Sequence, residues 1–160
     1  MVGISLVIAG LVVFLDQLIK YFVVQYLPQA GTVTAVPYIL DLTYVENRGV
    51  AFGMFKDMRW IFVVFTAIII LVLLYIIIFK GIKSKLFLIS SALIIGGGIG
   101  NLIDRIFLGY VIDYLQLSFF SPVCNFADYA ITVGTVLLVI YLLFFSDSSK
   151  AKPQKEKDND

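Results

Sequence analysis

The sequence predicts an all-α integral membrane protein: four transmembrane helices, with a small extracytoplasmic β-rich segment between the first and the second. Of the 160 residues, 61% are hydrophobic and only 14% charged, a balance outside the range of ordinary soluble domains. Four segments, about 3–27, 60–79, 86–106 and 128–145, are long and apolar enough to cross about 30 Å of hydrocarbon at about 1.5 Å per residue. The lysines and arginines gather on one side of those segments, as basic loops do when they resist translocation.

The first segment lacks a basic leader and carries Asp16 and Lys20 inside it, so a retained helix is expected rather than a cleaved secretory signal. Asp16 and Lys20 stand one helical turn apart with the acid nearer the N-terminus, the favourable order for an i,i+4 pair. Some 20 Å of helix precede Asp16 at the ~1.5 Å rise, which puts it in the outer half of the bilayer. A structural ion pair and a direct contact with substrate are both open for it. The connection over 28–59 contains GTVTAVPYILDLTYVENRGVAFGMF, in which β-branched and aromatic residues are punctuated by Pro37, Gly49 and Gly53; a small sheet at the outer surface is expected.

After the second segment, Lys80, Lys83 and Lys85 fill a short connection, and Lys150, Lys152, Lys155 and Lys157 lie in the tail. These seven basic residues face three, Arg48, Lys56 and Arg59, in the first outer connection and none over 107–127. Both termini are therefore expected in the cytoplasm. On the third segment Gly96 and Gly100 give the small-xxx-small spacing that lets membrane helices approach closely. Gly97 and Gly98 lie between them, and no GK[ST] follows to make a phosphate loop. Asn101, Asp104 and Arg105 fall at i, i+3 and i+4, on one face at the outer end.

Asn125 and Asp128 open the fourth segment, where free N–H groups and the helix dipole favour a negative group. Capping accounts for Asp128 alone. It does not account for Asp113 in GYVIDY, which is expected to meet the same bilayer boundary from the neighbouring helix end. Residues 1–146 read as a single membrane domain, and 147–160, rich in Ser, Asp, Lys, Gln and Glu, as a disordered cytoplasmic tail.

Two acids near lipid call for chemistry or transport. The chain has no histidine and one cysteine, so a zinc site lacks its usual histidine or thiolate ligands, no metal or cofactor is expected, and a serine or cysteine nucleophile would have only a lysine as base. Cys124 excludes an internal disulfide and reads as a small apolar filler. A net charge of +1 gives no case for nucleic acid. Two carboxylates side by side need no other help: they cannot both ionise cheaply, so they share one proton and provide a base and an acid. Residue chemistry alone reaches only a membrane carboxylate site. A small proton- or ion-coupled carrier using Asp16, Lys20 and Asp128 as a relay, or a noncatalytic membrane anchor, remains open.

Four blocks narrow this: DQLIK at 16–20, NRGVAFG at 47–53, GGGIGNLIDRIFLGYVIDY at 96–114 and PVCNFADYAITVG at 122–134. In that order, over nearly the whole chain to about residue 145, they resemble bacterial lipoprotein signal peptidases (signal peptidase II). The chain departs at Ile19, Gly98, Tyr114, Ser121 and Cys124, where that family often has threonine, alanine, phenylalanine and, at the last two, aromatics. The resemblance implies an aspartic endopeptidase of the bacterial cytoplasmic (inner) membrane. Such an enzyme removes the signal peptide of a diacylglyceryl-modified prolipoprotein by cutting before the lipidated cysteine. It implies Asp113 and Asp128 as the catalytic pair and Asn47, Asn101, Arg105 and Asn125 as polar residues lining the substrate site. Asp16 and Lys20 match a buried supporting pair, with Gly49 in a supporting turn and Asp104 structural. The expected partners are the prolipoprotein and membrane lipid. A monomer is expected, since nothing in the sequence requires a second chain.

Overall fold

The computed structural model describes residues 2–49, 58–120 and 122–146. Val50 to Gly53, Lys56, Ser121 and the tail at 147–160, with the expectations placed on them, lie outside the described residues. Four helices, α1 (Val2–Ala30), α2 (Arg59–Phe79), α3 (Lys85–Phe107) and α4 (Phe126–Phe144), are each long and apolar enough to cross a membrane. The four predicted segments match them within about three residues at each end. α1 is the longest, and at about 1.5 Å per residue it exceeds the hydrocarbon thickness, so its last turns are available to support structure beyond it.

α3 is the centre of the bundle. Of its apolar stretch 67% is buried, against 22, 17 and 22% for α1, α2 and α4. Its glycines explain how one helix receives three neighbours: Gly96 and Gly100 lie beneath α1, Gly97 beneath α4 and Gly98 beneath α2. A methyl group on Gly96 would come 2.7 Å from the Ala9 carbonyl and the Val12 Cβ of α1, and one on Gly100 2.5 Å from the Asp16 carboxylate. On Gly97 it would meet the Ala127 carbonyl of α4 at 2.5 Å, and on Gly98 it would meet Ile70 of α2 at 3.2 Å. Helices in lipid gain little from excluding apolar surface, so this close backbone approach carries their association. Around it, Ile70, Leu73 and Ile77 pack with Phe87, Leu88, Ala92, Ile95 and Tyr141, and the Phe87 and Tyr141 rings lie 5.4 Å apart.

The expected sheet is present and is larger than the one connection supplies. Two strands, β1 (Val33–Val36) and β2 (Leu40–Asn47), come from the connection between α1 and α2, but two more, β3 (Val111–Leu117) and β4 (Val123–Cys124), come from the connection between α3 and α4. The four form an antiparallel sheet in the order β1-β2-β3-β4. VIDYLQL lacks the alternation of a half-exposed strand because Val111 to Tyr114 are buried on both faces and so read as a continuous apolar run. Asp113 therefore belongs to a strand and not, as expected, to a helix end. The chain turns from α3 into β3 at Gly109, whose φ of +88° is open to glycine at little cost. The amides of Leu108 and Gly109 both donate to the Asp104 carbonyl as the helix closes.

The sheet is seated on the C-terminal end of α1. Ile112 and Tyr114 pack on Leu27, with Val23, Leu42, Tyr44 and Phe126 around them. Successive residues of a strand face opposite ways, so Asp113 is turned away from that seat.

Candidate active site

Asp113 reaches the site from β3, where it stands opposite Val45 of β2. Asp128 reaches it from the first turn of α4. The residue between them is Asn125. Its side-chain amide donates to Asp113 Oδ1 at 2.6 Å, and its backbone N–H donates to Asp128 Oδ2 at 3.1 Å. In return its Oδ1 accepts from the Asp128 backbone N–H at 2.9 Å. Asn125, not Asp128, is thus the N-cap of α4, and Asp128 closes a capping box while presenting its other oxygen to the site.

Each carboxylate oxygen of the pair meets one N–H. Asn47 Nδ2 donates to Asp113 Oδ2 at 2.8 Å, and Asn101 Nδ2 donates to Asp128 Oδ1 at 2.8 Å. The direction of all three asparagine amides is fixed, because each amide oxygen is held by a group that can only donate. These donors are the Gly49 N–H on Asn47 at 3.0 Å, the Lys20 ammonium on Asn101 at 3.0 Å and the Asp128 N–H on Asn125. The second amide hydrogen of Asn125 goes to Asn101 Oδ1 at 3.1 Å.

Beneath the pair lies a buried charge cluster. Lys20, 2% exposed, has Asp16 at 2.8 Å, Asp104 at 2.9 Å and Asn101 at 3.0 Å, three acceptors for its three protons. Asp16 also accepts the Ala127 N–H at 3.1 Å, and Asp104 the Ile112 N–H at 3.1 Å. A lone buried carboxylate or ammonium is expensive, and one hydrogen-bonded on all sides is tolerated. Asp104, read from the sequence as structural, is a direct partner of Lys20. Gln17 was not singled out from the sequence. Its amide nevertheless donates to Asp104 at 3.1 Å, to the Gly100 carbonyl at 3.2 Å and to Asp16 at 3.3 Å. Its signal was a polar residue beside Asp16 in an otherwise apolar helix.

Arg105 stands apart from the cluster. It is half-buried, donates to the Asn101 carbonyl at 3.4 Å and lies 5.7 Å from the Phe62 ring centre. Among the described residues no carboxylate lies within ion-pair distance of it, which leaves its guanidinium free to meet something else. All ten residues singled out from the sequence, Asp16, Lys20, Asn47, Gly49, Asn101, Asp104, Arg105, Asp113, Asn125 and Asp128, are linked by these contacts.

Asp113 is 1% exposed. Burial, and after it the charge of Asp128, pushes its carboxyl up to about 7, against the amide hydrogen bonds of Asn47 and Asn125. Burial likewise pushes the Cys124 thiol up to about 11, with the two aspartates adding to it, so it is not a thiolate near neutral pH. The arrangement is suited to proton transfer between two acids and a water or substrate group lying against them.

Similarity to known proteins is extensive. The family model for signal peptidase (SPase) II matches residues 8–144. The lipoprotein signal peptidase of Caldanaerobacter subterraneus subsp. tengcongensis is 44% identical over 140 residues, which cover 88% of this chain and 96% of that protein. The lipoprotein signal peptidase of Clostridioides difficile is 40% identical over 142 residues, with 88% and 95% covered. A solved bacterial membrane enzyme, determined by the in meso method at 2.3 Å, superposes with a TM-score of 0.81 at 31% identity, covering 97% of this chain and 95% of its own. The matched stretch contains every polar group of the site, and the chain is a membrane peptidase belonging to the signal peptidase II family.

Proposed function

We propose that this chain is an aspartic endopeptidase that removes the signal peptide of diacylglyceryl-modified prolipoproteins, cutting before the lipidated cysteine, with Asp113 and Asp128 as the catalytic pair. The observation that carries the reading is the bridging of the two carboxylates through Asn125, with one N–H donor on every carboxylate oxygen. Two acids so placed share one proton. One takes a proton from water as the water oxygen bonds to the scissile carbonyl carbon. The other gives its proton to the carbonyl oxygen, and the departing amine is protonated as the C–N bond breaks.

The remaining assignments follow from position. Arg105, Asn47 and Asn101 line the substrate side, and Gly49 holds Asn47 in orientation. Asp16, Lys20 and Asp104 support the site from below. Both termini lie in the cytoplasm, with Lys80, Lys83 and Lys85 at the inner boundary, and the aspartates lie near the outer face of the bacterial cytoplasmic membrane. That depth suits a substrate whose acyl chains sit in the outer leaflet. The enzyme works as a monomer in membrane lipid, since one chain supplies the whole described network.

The test is direct. Purified Asp113→Asn and Asp128→Asn variants should each fail to release signal peptide from a lipidated precursor while keeping the folded bundle. Turnover by either variant sinks the dyad.

A further inference from the structure

Building on that dyad, we propose that Lys20 is a positioning residue that makes the two aspartates unequal: acting through Asn101, it holds Asp128 as the ionised base and leaves the shared proton on Asp113. An ammonium has donors only, so Lys20 at 3.0 Å, together with the Asn125 amide at 3.1 Å, holds the Asn101 oxygen and keeps the Asn101 amide, polarised by the charge, on Asp128 at 2.8 Å. The two acids that complete the shell of Lys20 act on the backbone. Asp104 holds the N–H of Ile112 and Asp16 that of Ala127, the residues immediately before Asp113 and Asp128. One buried cation thus fixes both the donor that faces Asp128 and the footing of both acids.

The surroundings of the pair are asymmetric in the same sense. The charged and titratable groups facing it are Asp16 and Lys20 from α1, Asp104 and Arg105 from α3, Tyr114 from β3, Cys124 from β4 and Tyr129 beyond Asp128 on α4. Lys20 reaches Asp128 through a single side chain, Asn101, whereas no hydrogen-bonded link of that length joins it to Asp113. Asp128 is partly exposed and lies in the first turn of α4, where the helix dipole favours a negative charge. Asp113 is buried and accepts its hydrogen bonds from the neutral amides of Asn47 and Asn125, the charge of Lys20 reaching it less strongly than either. Asp128 therefore takes the proton of the attacking water and Asp113 protonates the carbonyl oxygen. On collapse Asp128 passes its proton to the amine and Asp113 regains one from the tetrahedral hydroxyl, which restores the starting state.

The experiment compares wild type with Lys20→Met on a lipidated precursor across pH. With the Asn101 oxygen left to the neutral Asn125 amide alone, and its own amide no longer polarised by the ammonium, kcat should fall at least about tenfold while KM stays within about twofold, and the acid limb of kcat/KM should move up by about one pH unit. Because Lys20→Met leaves two buried acids without their cation, the neutral triple variant Asp16→Asn, Lys20→Met, Asp104→Asn is measured beside it, and the same displaced limb is expected. An acid limb at the wild-type position in either folded variant overturns the role of Lys20. Infrared spectra near pH 6 give a readout independent of turnover: the protonated-carboxyl band should be lost in Asp113→Asn and kept in Asp128→Asn, and the reverse overturns the assignment. Activity surviving in either of those two variants would instead sink the dyad reading itself.

Discussion

The asparagines determine what the aspartates can do. Each of Asn47, Asn101 and Asn125 has its oxygen tied down, so each can only donate to a carboxylate, and donors stabilise the charged form of an acid. This gives Asn47→Leu a definite sign. Removing its 2.8 Å hydrogen bond takes away an influence that lowers the Asp113 pKa, so the alkaline limb of the pH profile should move up. In the unaltered enzyme kcat/KM should decline above about pH 7, as Asp113 loses its proton, with the measured midpoint belonging to the pair. A limb that moves down in Asn47→Leu would contradict this account. The same shift bears on stability. The folded pKa is raised above the ordinary carboxyl value of 3.8, so this contribution to folding is complete below that value and is lost as pH rises through about 7. The acids were legible in the sequence because charge in an apolar run is conspicuous. The direction of an amide was not, since it is decided by groups such as the Gly49 N–H and Lys20, which only the fold brings within reach.

The glycines of α3 act at the scale of elements. The spacing of Gly96 and Gly100 announced a close approach, but not that Gly97 and Gly98 serve two other helices. Substitutions should separate these roles. Gly100→Ala would drive a methyl group into the Asp16 carboxylate, and Gly97→Ala one into the Ala127 carbonyl beside Asp128; neither neighbour can yield without disturbing the site. Each should cost about 1–3 kcal/mol of stability, read as a lowered melting temperature in detergent, together with loss of cleavage. Gly98→Ala meets only the ends of Ile70 and Thr66 at 3.2–3.4 Å and should be close to neutral in both measurements. Equal damage at positions 98 and 100 would refute the division. The strands tell a different story. β1 and β2 were legible from turn residues and β-branched composition, whereas β3 was hidden because burial on both faces removed its period of two.

Across the whole molecule, membrane helices and sheet divide the work: the bundle brings Asp16, Lys20, Asn101, Asp104 and Asp128 together, and the sheet delivers Asp113 and Asn47 to them. The proposed orientation can be checked at two exposed positions, Tyr38 at the β1–β2 turn, 96% exposed, and Lys83 between α2 and α3. In a Cys124→Ser background, Tyr38→Cys should react with a membrane-impermeant maleimide in intact spheroplasts, and Lys83→Cys only after permeabilisation. The opposite pattern would invert the topology. Four spans were readable because about 20 apolar residues leave few alternatives. Which helix occupies the centre was not, because α2 is even more hydrophobic than α3 and hydropathy does not distinguish a lipid neighbour from a protein one.

The Lys20 cluster also bears on how such a chain is made. Lys20 enters the bilayer 81 residues before Asn101 is added and Asp16 111 before Ala127, and for that interval their partners are each other and the neighbouring Gln17 amide. Their position one turn apart, at 2.8 Å, lets α1 settle in lipid as a nearly neutral helix. The arrival of α3 and then α4 converts an insertion device into the foundation of the site.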